Sequence, residues 1–245
     1  MKLLLIAGMG ESVSLARDLS ALKGVEVTCV NEGRAVARAA PPVKTHEGAF
    51  ADDAEFGAFL QDEGFEFIVD AAHPFQSKLG QVAATSGLPY LRATRPIWAE
   101  GDGEDWIKVT TMTDAIAAVP QGATLFVVTG RGTLRHLSDR RDVTVYCRQL
   151  DQHDQEFLLE KGRFIFGNGP FETADEIALF QMLGVDTVLL RNSGSVAGAS
   201  KLDAARACNI RIVMIEPPAL EIAPDQVLDI ADIPERVRIY ADHRN

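Results

Sequence analysis

Gly8, Met9 and Gly10 separate an apolar run, Leu3 to Ala7, from a segment in which Val13, Leu15, Ala16, Leu19 and Leu22 recur at helical spacing. A glycine turn between a strand and a helix offers unpaired backbone N–H groups and the positive end of a helix dipole, which is what a pyrophosphate or another anion requires. The full G-x-G-x-x-G is absent, since Val13 holds the third glycine position, and the same spacing serves a ligand-free turn. The second apolar run, Val25 to Val30, ends in Asn31-Glu32-Gly33-Arg34. Arg34 can pair bidentately with a 2′-phosphate and so favours NADP over NAD; Glu32 argues mildly the other way, and a solvated loop cation is the plain alternative.

His73 lies in Asp70-Ala71-Ala72-His73-Pro74-Phe75. Pro74 biases it away from helical geometry and onto the loop at a strand's carboxyl end, where open α/β sheets place their ligands. An imidazole there can meet a carboxylate or supply a proton, although isolated loop histidines are more often structural. Gly167-Asn168-Gly169-Pro170-Phe171 and Arg191-Asn192-Ser193-Gly194-Ser195 are further glycine-containing loops after apolar runs, with Arg191 and Lys201 adding positive charge. Leu125 to Gly132 repeats the form of Leu3 to Gly10, an apolar run entering G-x-G, with Arg131 between the glycines. Arg135, Arg140 and Arg141 follow it and equally describe a solvated basic face.

These loops need strands and helices to hold them. The alternation of short apolar runs with helix-like segments predicts an α/β protein with two similarly built halves and mainly parallel sheets. Strands are expected at Leu3–Ala7, Val25–Val30, Phe65–Val69, Leu125–Val128, Val143–Cys147, Arg163–Phe166, Val185–Leu190 and Ile210–Ile215. Helices are expected after Gly10, after the Asp52/Glu55 capping box, over Thr173–Leu183 with Thr173 and Glu176 as capping box, and from near Asp232 through Tyr240. Pro, Gly and acidic residues over Arg95–Gly103 suit a crossing between domains, predicted as 1–98 and 99–245.

The chain has 245 residues, 47% hydrophobic and 24% charged, the composition of a globular protein. With 24 Lys+Arg against 35 Asp+Glu, the formal charge of −11 opposes non-specific binding to nucleic acid or to an anionic membrane, so an anionic ligand must be met by a local cluster of cations. Three widely spaced cysteines indicate neither a disulfide framework nor a zinc site. The short apolar N-terminal run is interrupted by Glu11, unlike a signal peptide, and a cytoplasmic protein with no bound metal is expected.

Taken in order, G-x-G-E at residue 8, an x-x-G-R loop ending at Arg34, V-D-A-x-H-P-F at Val69 to Phe75, R-P-x-W at Arg95 to Trp98, G-P-F at Gly169 to Phe171, and R-N-S-G followed by K-L-D-A-A-R at Lys201 to Arg206 resemble the precorrin-6A reductase family. The resemblance covers roughly residues 3 to 218. It departs from the family's usual form at the first loop, Ala7-Gly8-Met9-Gly10-Glu11, which lacks a threonine, and at Arg191 and Ser195, where Lys and Gly are usual.

The resemblance implies a monomer of two Rossmann-like lobes, an N-terminal NADPH-binding lobe and a C-terminal lobe, with the tetrapyrrole in the cleft between them. It implies hydride transfer from NADPH to C19 of precorrin-6A, or of its cobalt counterpart, reducing the C18=C19 double bond in cobalamin biosynthesis. The expected cofactor residues are Gly8, Met9, Gly10, Glu11, Gly33, Arg34, Asn192, Ser193 and Gly194. Those expected at the substrate are Phe75, Arg131, Gly169, Pro170, Phe171, Arg191 and Lys201, with His73 as proton donor or positioning group. Two alternatives remain: a Rossmann-type tetrapyrrole methyltransferase using adenosylmethionine, and a non-catalytic protein that senses a nucleotide.

Overall fold

The computed structural model describes every residue except 32–41, 47, 48, 77, 168, 220 and 245. The chain divides into two compact units, residues 1–96 with 219–245, and residues 97–218.

In the first unit the described elements run β1 (Lys2–Ala7), α1 (Ser12–Ser20), β2 (Glu26–Asn31), β3 (Lys44–Thr45), α2 (Asp53–Asp62), β4 (Phe67–Ala71), α3 (Lys78–Ala84) and β5 (Tyr90–Thr94). The second unit supplies β6 (Ile107–Val109), α4 (Met112–Ala118), β7 (Thr124–Val127), β8 (Thr144–Gln149), β9 (Gly162–Phe166), α5 (Thr173–Leu183), β10 (Thr187–Arg191), α6 (Val196–Ala207) and β11 (Arg211–Ile215). The chain then returns to the first unit with β12 (Val227–Asp229) and α7 (Ile233–Asp242). The chain thus crosses to the second unit after Pro96 and returns to the first at Ala219. Residues 219–245 belong to the first unit because β12 pairs in parallel with β5, and Ile233 and Val237 of α7 complete its core.

Among the described residues each unit carries a six-stranded sheet in which every assigned pairing is parallel. The first is ordered β3-β2-β1-β4-β5-β12, the doubly wound order with its switch point between β1 and β4. The second is ordered β9-β8-β7-β10-β11-β6, with the corresponding switch point between β7 and β10; its last position is filled by the strand that enters the unit first.

Both faces of the first sheet are covered, which explains the unbroken apolar run of β1. Leu3, Leu5 and Ala7 pack with Leu15, Leu19 and Val237 on one face, while Leu4 and Ile6 pack with Phe56 and Leu60 on the other. In the second unit Phe126, Val188, Leu190 and Met214 share a core with Phe180 and Leu202.

Asp52 caps α2 as predicted, its carboxylate accepting from Glu55 N at 2.8 Å. The capping box expected at Thr173 is not formed. Glu172 holds the cap position without a side-chain bond, and Glu176 is buried against cations. The strand predicted from Val185 begins at Thr187, because Val185 N–H bonds back to Phe180 O at 2.9 Å to close α5 over Gly184, which adopts φ 63°.

Candidate functional site

In the first unit the loops leaving β1 and β4 lie side by side at the switch point. A Cβ on Gly8 would stand 2.6 Å from His73 N and 3.0 Å from Ala72 Cα, so only glycine allows this approach. Met9 N–H donates to Ala71 O at 3.0 Å and its side chain is buried, which gives Met9 a role in shaping the turn. Gly10 is exposed and a Cβ there would meet nothing within 4 Å. A turn closed beneath Gly8 and open above Gly10, leading into the first turn of the nine-residue α1, has the form a phosphate group requires.

Glu11, at the N-cap position of α1, makes no side-chain cap; its carboxylate meets Arg95 Nη1 at 2.6 Å. Arg95 thereby compensates an acid that would otherwise repel an anion at this helix end. Gly33 and Arg34 lie outside the described residues.

Behind the turn, Asp70 and Arg92 form a fully buried ion pair, Nη1 to Oδ2 2.6 Å, joined by Tyr90 OH donating to Asp70 Oδ2 at 2.7 Å. Burial, and then the Asp70 carboxylate, push the Tyr90 phenol well above its ordinary pKa and keep it a donor. His73 and Phe75 are half-buried, their rings 5.9 Å apart. His73 Nδ1 accepts Phe75 N–H at 3.3 Å, so in the neutral ring the proton sits on Nε2.

In the second unit Gly130, with φ 89°, precedes a 3-10 segment, Arg131–Leu137, so Arg131 begins a tight turn without an α-helix behind it. Arg191, exposed, ends the adjacent β10. Asn192 is buried and occupied internally: Oδ1 accepts Trp98 N–H at 2.8 Å, and Nδ2 donates to Trp98 O at 2.9 Å and to Glu216 at 3.1 Å. Ser193 is buried, Gly194 takes φ 62°, and Ser195 caps α6 by accepting Gly198 N–H at 3.1 Å. The Trp98 ring lies where a Gly198 Cβ would be, 2.6 Å away, which couples the R-P-x-W segment to this loop.

Lys201 does not project from the surface. It is 5% exposed, its Nζ 3.7 Å from Glu176 Oε1 and 4.0 Å from the centre of the Phe171 ring. Arg148 clasps Glu176 with Nη2 at 2.6 and 2.7 Å and stacks on Phe171 at 4.4 Å. Two cations thus share one buried carboxylate beneath an aromatic ring. Burial lowers the Lys201 pKa, Glu176 opposes that, and Arg148 adds to it. Phe171 follows the Gly169–Pro170 bond, which is cis.

Arg131, Arg191 and the helix bearing Lys201 follow the carboxyl ends of the neighbouring strands β7 and β10, whose register pairs Val127 with Leu189. Arg131 and Arg191 mark the strand ends, while Lys201 turns into the buried cluster. Burial pushes the Cys29 and Cys147 thiols up to about 12 and about 11, which leaves neither suited to act as a nucleophile. Among the described residues no group of three or more His, Cys, Asp or Glu gathers as a metal would need, and no helix is long and apolar enough to cross a membrane.

Two doubly wound parallel sheets, each with a glycine-containing loop at its switch point, place the chain in the class of open α/β proteins, whose ligand sites lie at the carboxyl ends of the strands. Residues 2–238 match the family model "Precorrin-6x reductase CbiJ/CobK". The chain is 30% identical over 235 residues to the precorrin-6A reductase of Rhodococcus erythropolis, covering 94% of each chain, and 28% identical over 236 residues to the cobalt-precorrin-6A reductase of Priestia megaterium, covering 89% of this chain and 91% of that one. The solved structure of a CobK precorrin-6A reductase superposes with a TM-score of 0.84 at 26% identity, covering 99% of this chain and 97% of that one. The chain belongs to the precorrin-6x reductase family, and it is accordingly an oxidoreductase of cobalamin biosynthesis.

Tyr90, Arg92, Arg148 and Glu176 escape a reading by loop motif because they stand within strands and a helix, while Asp70 and Arg95 fall inside quoted motifs that do not disclose their ion-pair partners. The signal available for Arg92 and Arg148 is an arginine amid apolar strand residues. For Glu176 it is an acid on the apolar stripe of its helix.

Proposed function

We propose that this protein reduces the C18=C19 double bond of a precorrin-6A-type macrocycle, metal-free or cobalt-containing, with NADPH as the reductant, acting as a monomer in the cytoplasm. The carrying observation is the turn after β1, closed by Gly8 against His73 and open at Gly10 before α1. NADPH, when bound, supplies the hydride. Gly8 and Gly10 allow a pyrophosphate to approach the backbone, Met9 fixes the turn through Ala71, and Arg95 neutralises Glu11 beside it. Gly33 and Arg34 are assigned to the 2′-phosphate on their sequence position, and Asn192, Ser193 and Gly194 to the cofactor on theirs.

Arg131 and Arg191 meet substrate carboxylates at the strand ends, and Phe75 and Phe171 offer apolar faces to the macrocycle. Gly169 and Pro170 place Phe171 over Lys201, whose excess charge favours a carboxylate nearby. Hydride addition must be completed by a proton, and His73 Nε2–H, directed by the Phe75 N–H bond at Nδ1, is the group assigned to that delivery or to orienting the substrate. Membership of a reductase family favours this reading over a methyltransferase or a nucleotide sensor.

Thermal stabilisation by NADPH, NADH and adenosylmethionine tests it, since a ligand that binds the native state raises the melting temperature. NADPH is expected to stabilise most, and stabilisation by adenosylmethionine alone would overturn the reading. Arg34→Ala is expected to raise the KM for NADPH and barely change that for NADH; equal effects on both exclude a 2′-phosphate contact.

A further inference from the structure

The Asp70–Arg92 pair contributes little as a stability device. A buried ion pair must offset the desolvation of both partners, and apolar residues of similar size often serve as well. Arg92 is moreover incompletely satisfied, its buried Nε having no hydrogen-bond partner among the described residues. What the pair does is hold backbone. Arg92 Nη2 donates to Ala72 O at 3.0 Å and reaches His73 O at 3.5 Å, while Asp70 Oδ1 accepts Ala72 N–H at 2.9 Å. Just before this grip, Ala71 O receives Met9 N–H at 3.0 Å and Ser12 Oγ at 3.3 Å. Gly8 lies against Ala72 and His73. A third element leaves room for the carboxylate: a Cβ on Gly80 of α3 would fall 2.1 Å from Asp70 Oδ2.

We propose that Tyr90, Asp70 and Arg92 form a positioning network that sets the Ala72–His73 backbone and, through Ala71 and Gly8, holds the turn after β1 in its cofactor-receiving shape. The network touches no ligand; it governs NADPH affinity from beneath the site. This inference rests on the assignment of NADPH to that turn.

The test is NADPH binding by nicotinamide fluorescence, well below the melting temperature, to the wild type and to Arg92→Lys, Tyr90→Phe, Gly8→Ala and Val237→Ala. Lysine keeps the charge but loses the fork that spans Asp70 and the two carbonyls, so Arg92→Lys is expected to weaken NADPH about tenfold. Tyr90→Phe removes one hydrogen bond and is expected to weaken it about threefold, and it carries the test if Arg92→Lys does not fold. Val237→Ala opens the core of the same unit from α7, which supplies none of the network's hydrogen bonds; it is expected to lower the melting temperature while leaving NADPH affinity unchanged, which separates positioning from general stability. Wild-type affinity in Arg92→Lys and Tyr90→Phe with weakened binding in Gly8→Ala would overturn the network alone. An equal loss in Val237→Ala would overturn it as well. Unchanged affinity in Gly8→Ala would instead remove the cofactor from the turn, and the network's role with it.

Discussion

The two switch points are built on one strand order but on opposite electrostatic plans. Behind the first, one buried cation faces one buried carboxylate, with a tyrosine completing the set. Behind the second, Arg148 and Lys201 share Glu176 under Phe171, leaving an excess positive charge. The turns differ in the same sense. Gly8–Gly10 leads into the α-helix α1, whereas Gly130–Gly132 enters a 3-10 segment, and the second unit's α-helix N-terminus at the switch point is that of α6 after Ser195. A neutral, rigid support suits recognition by backbone N–H groups, while a net positive one suits a polycarboxylate. Divergence of the two sites thus lies beneath the loops as much as in them.

Removing the shared carboxylates should separate the two plans most strongly. Glu176→Gln leaves two buried cations facing each other, and Asp70→Asn leaves one; each loss is expected to cost about 3–5 kcal/mol, with Glu176→Gln the larger, as measured by chemical denaturation. Equal costs would mean that Lys201 is not part of the second cluster's balance. His73 has no counterpart in Val128–Arg131 or Asn192–Ser195. Its replacement by alanine is expected to lower turnover about a hundredfold while NADPH affinity stays near wild type, the signature of a proton-transfer role. Near-normal turnover removes that role.

The glycines offer a smaller contrast. Gly130→Ala places an L residue at φ 89° in open space and is expected to cost about 1–2 kcal/mol of stability with NADPH affinity intact. Gly8→Ala is expected to act on NADPH binding instead, because its Cβ meets fixed backbone.

The smallest effect is in pH. Burial holds the Lys201 pKa in the folded protein below its ordinary value of 10.5. Between the two values the unfolded state binds more protons, so stability contributed at this site rises with pH toward 10.5. Wild type should therefore gain on Lys201→Met across that range; a parallel pH dependence of the two proteins would contradict the buried position of Lys201.

Much of this arrangement is legible in the residues. β1, β2, β4, β7, β10 and β11 stand out as apolar runs because strands covered on both faces largely exclude polar residues, and glycines mark the ends of α2 and α5. β5 does not stand out, since Tyr90-Leu91-Arg92-Ala93-Thr94 carries a buried arginine whose partner is twenty-two residues earlier in the chain. The Thr173/Glu176 pair has the spacing of a capping box, yet Arg148 claims the glutamate across the fold. Local spacing registers neither pairing. The return of β12 to the first sheet is equally hidden, because a three-residue strand acquires its meaning only from the neighbour it pairs with. The glycine turns were visible at once, whereas the groups that hold them were not.

NADPH oxidation by the purified protein, supplied in turn with metal-free and with cobalt-containing precorrin-6A, tests the central claim most directly. Consumption of one NADPH per macrocycle reduced, with at least one of the two substrates and with NADH serving poorly, is the predicted result. No oxidation with either substrate, in a protein that folds and binds NADPH, would contradict it.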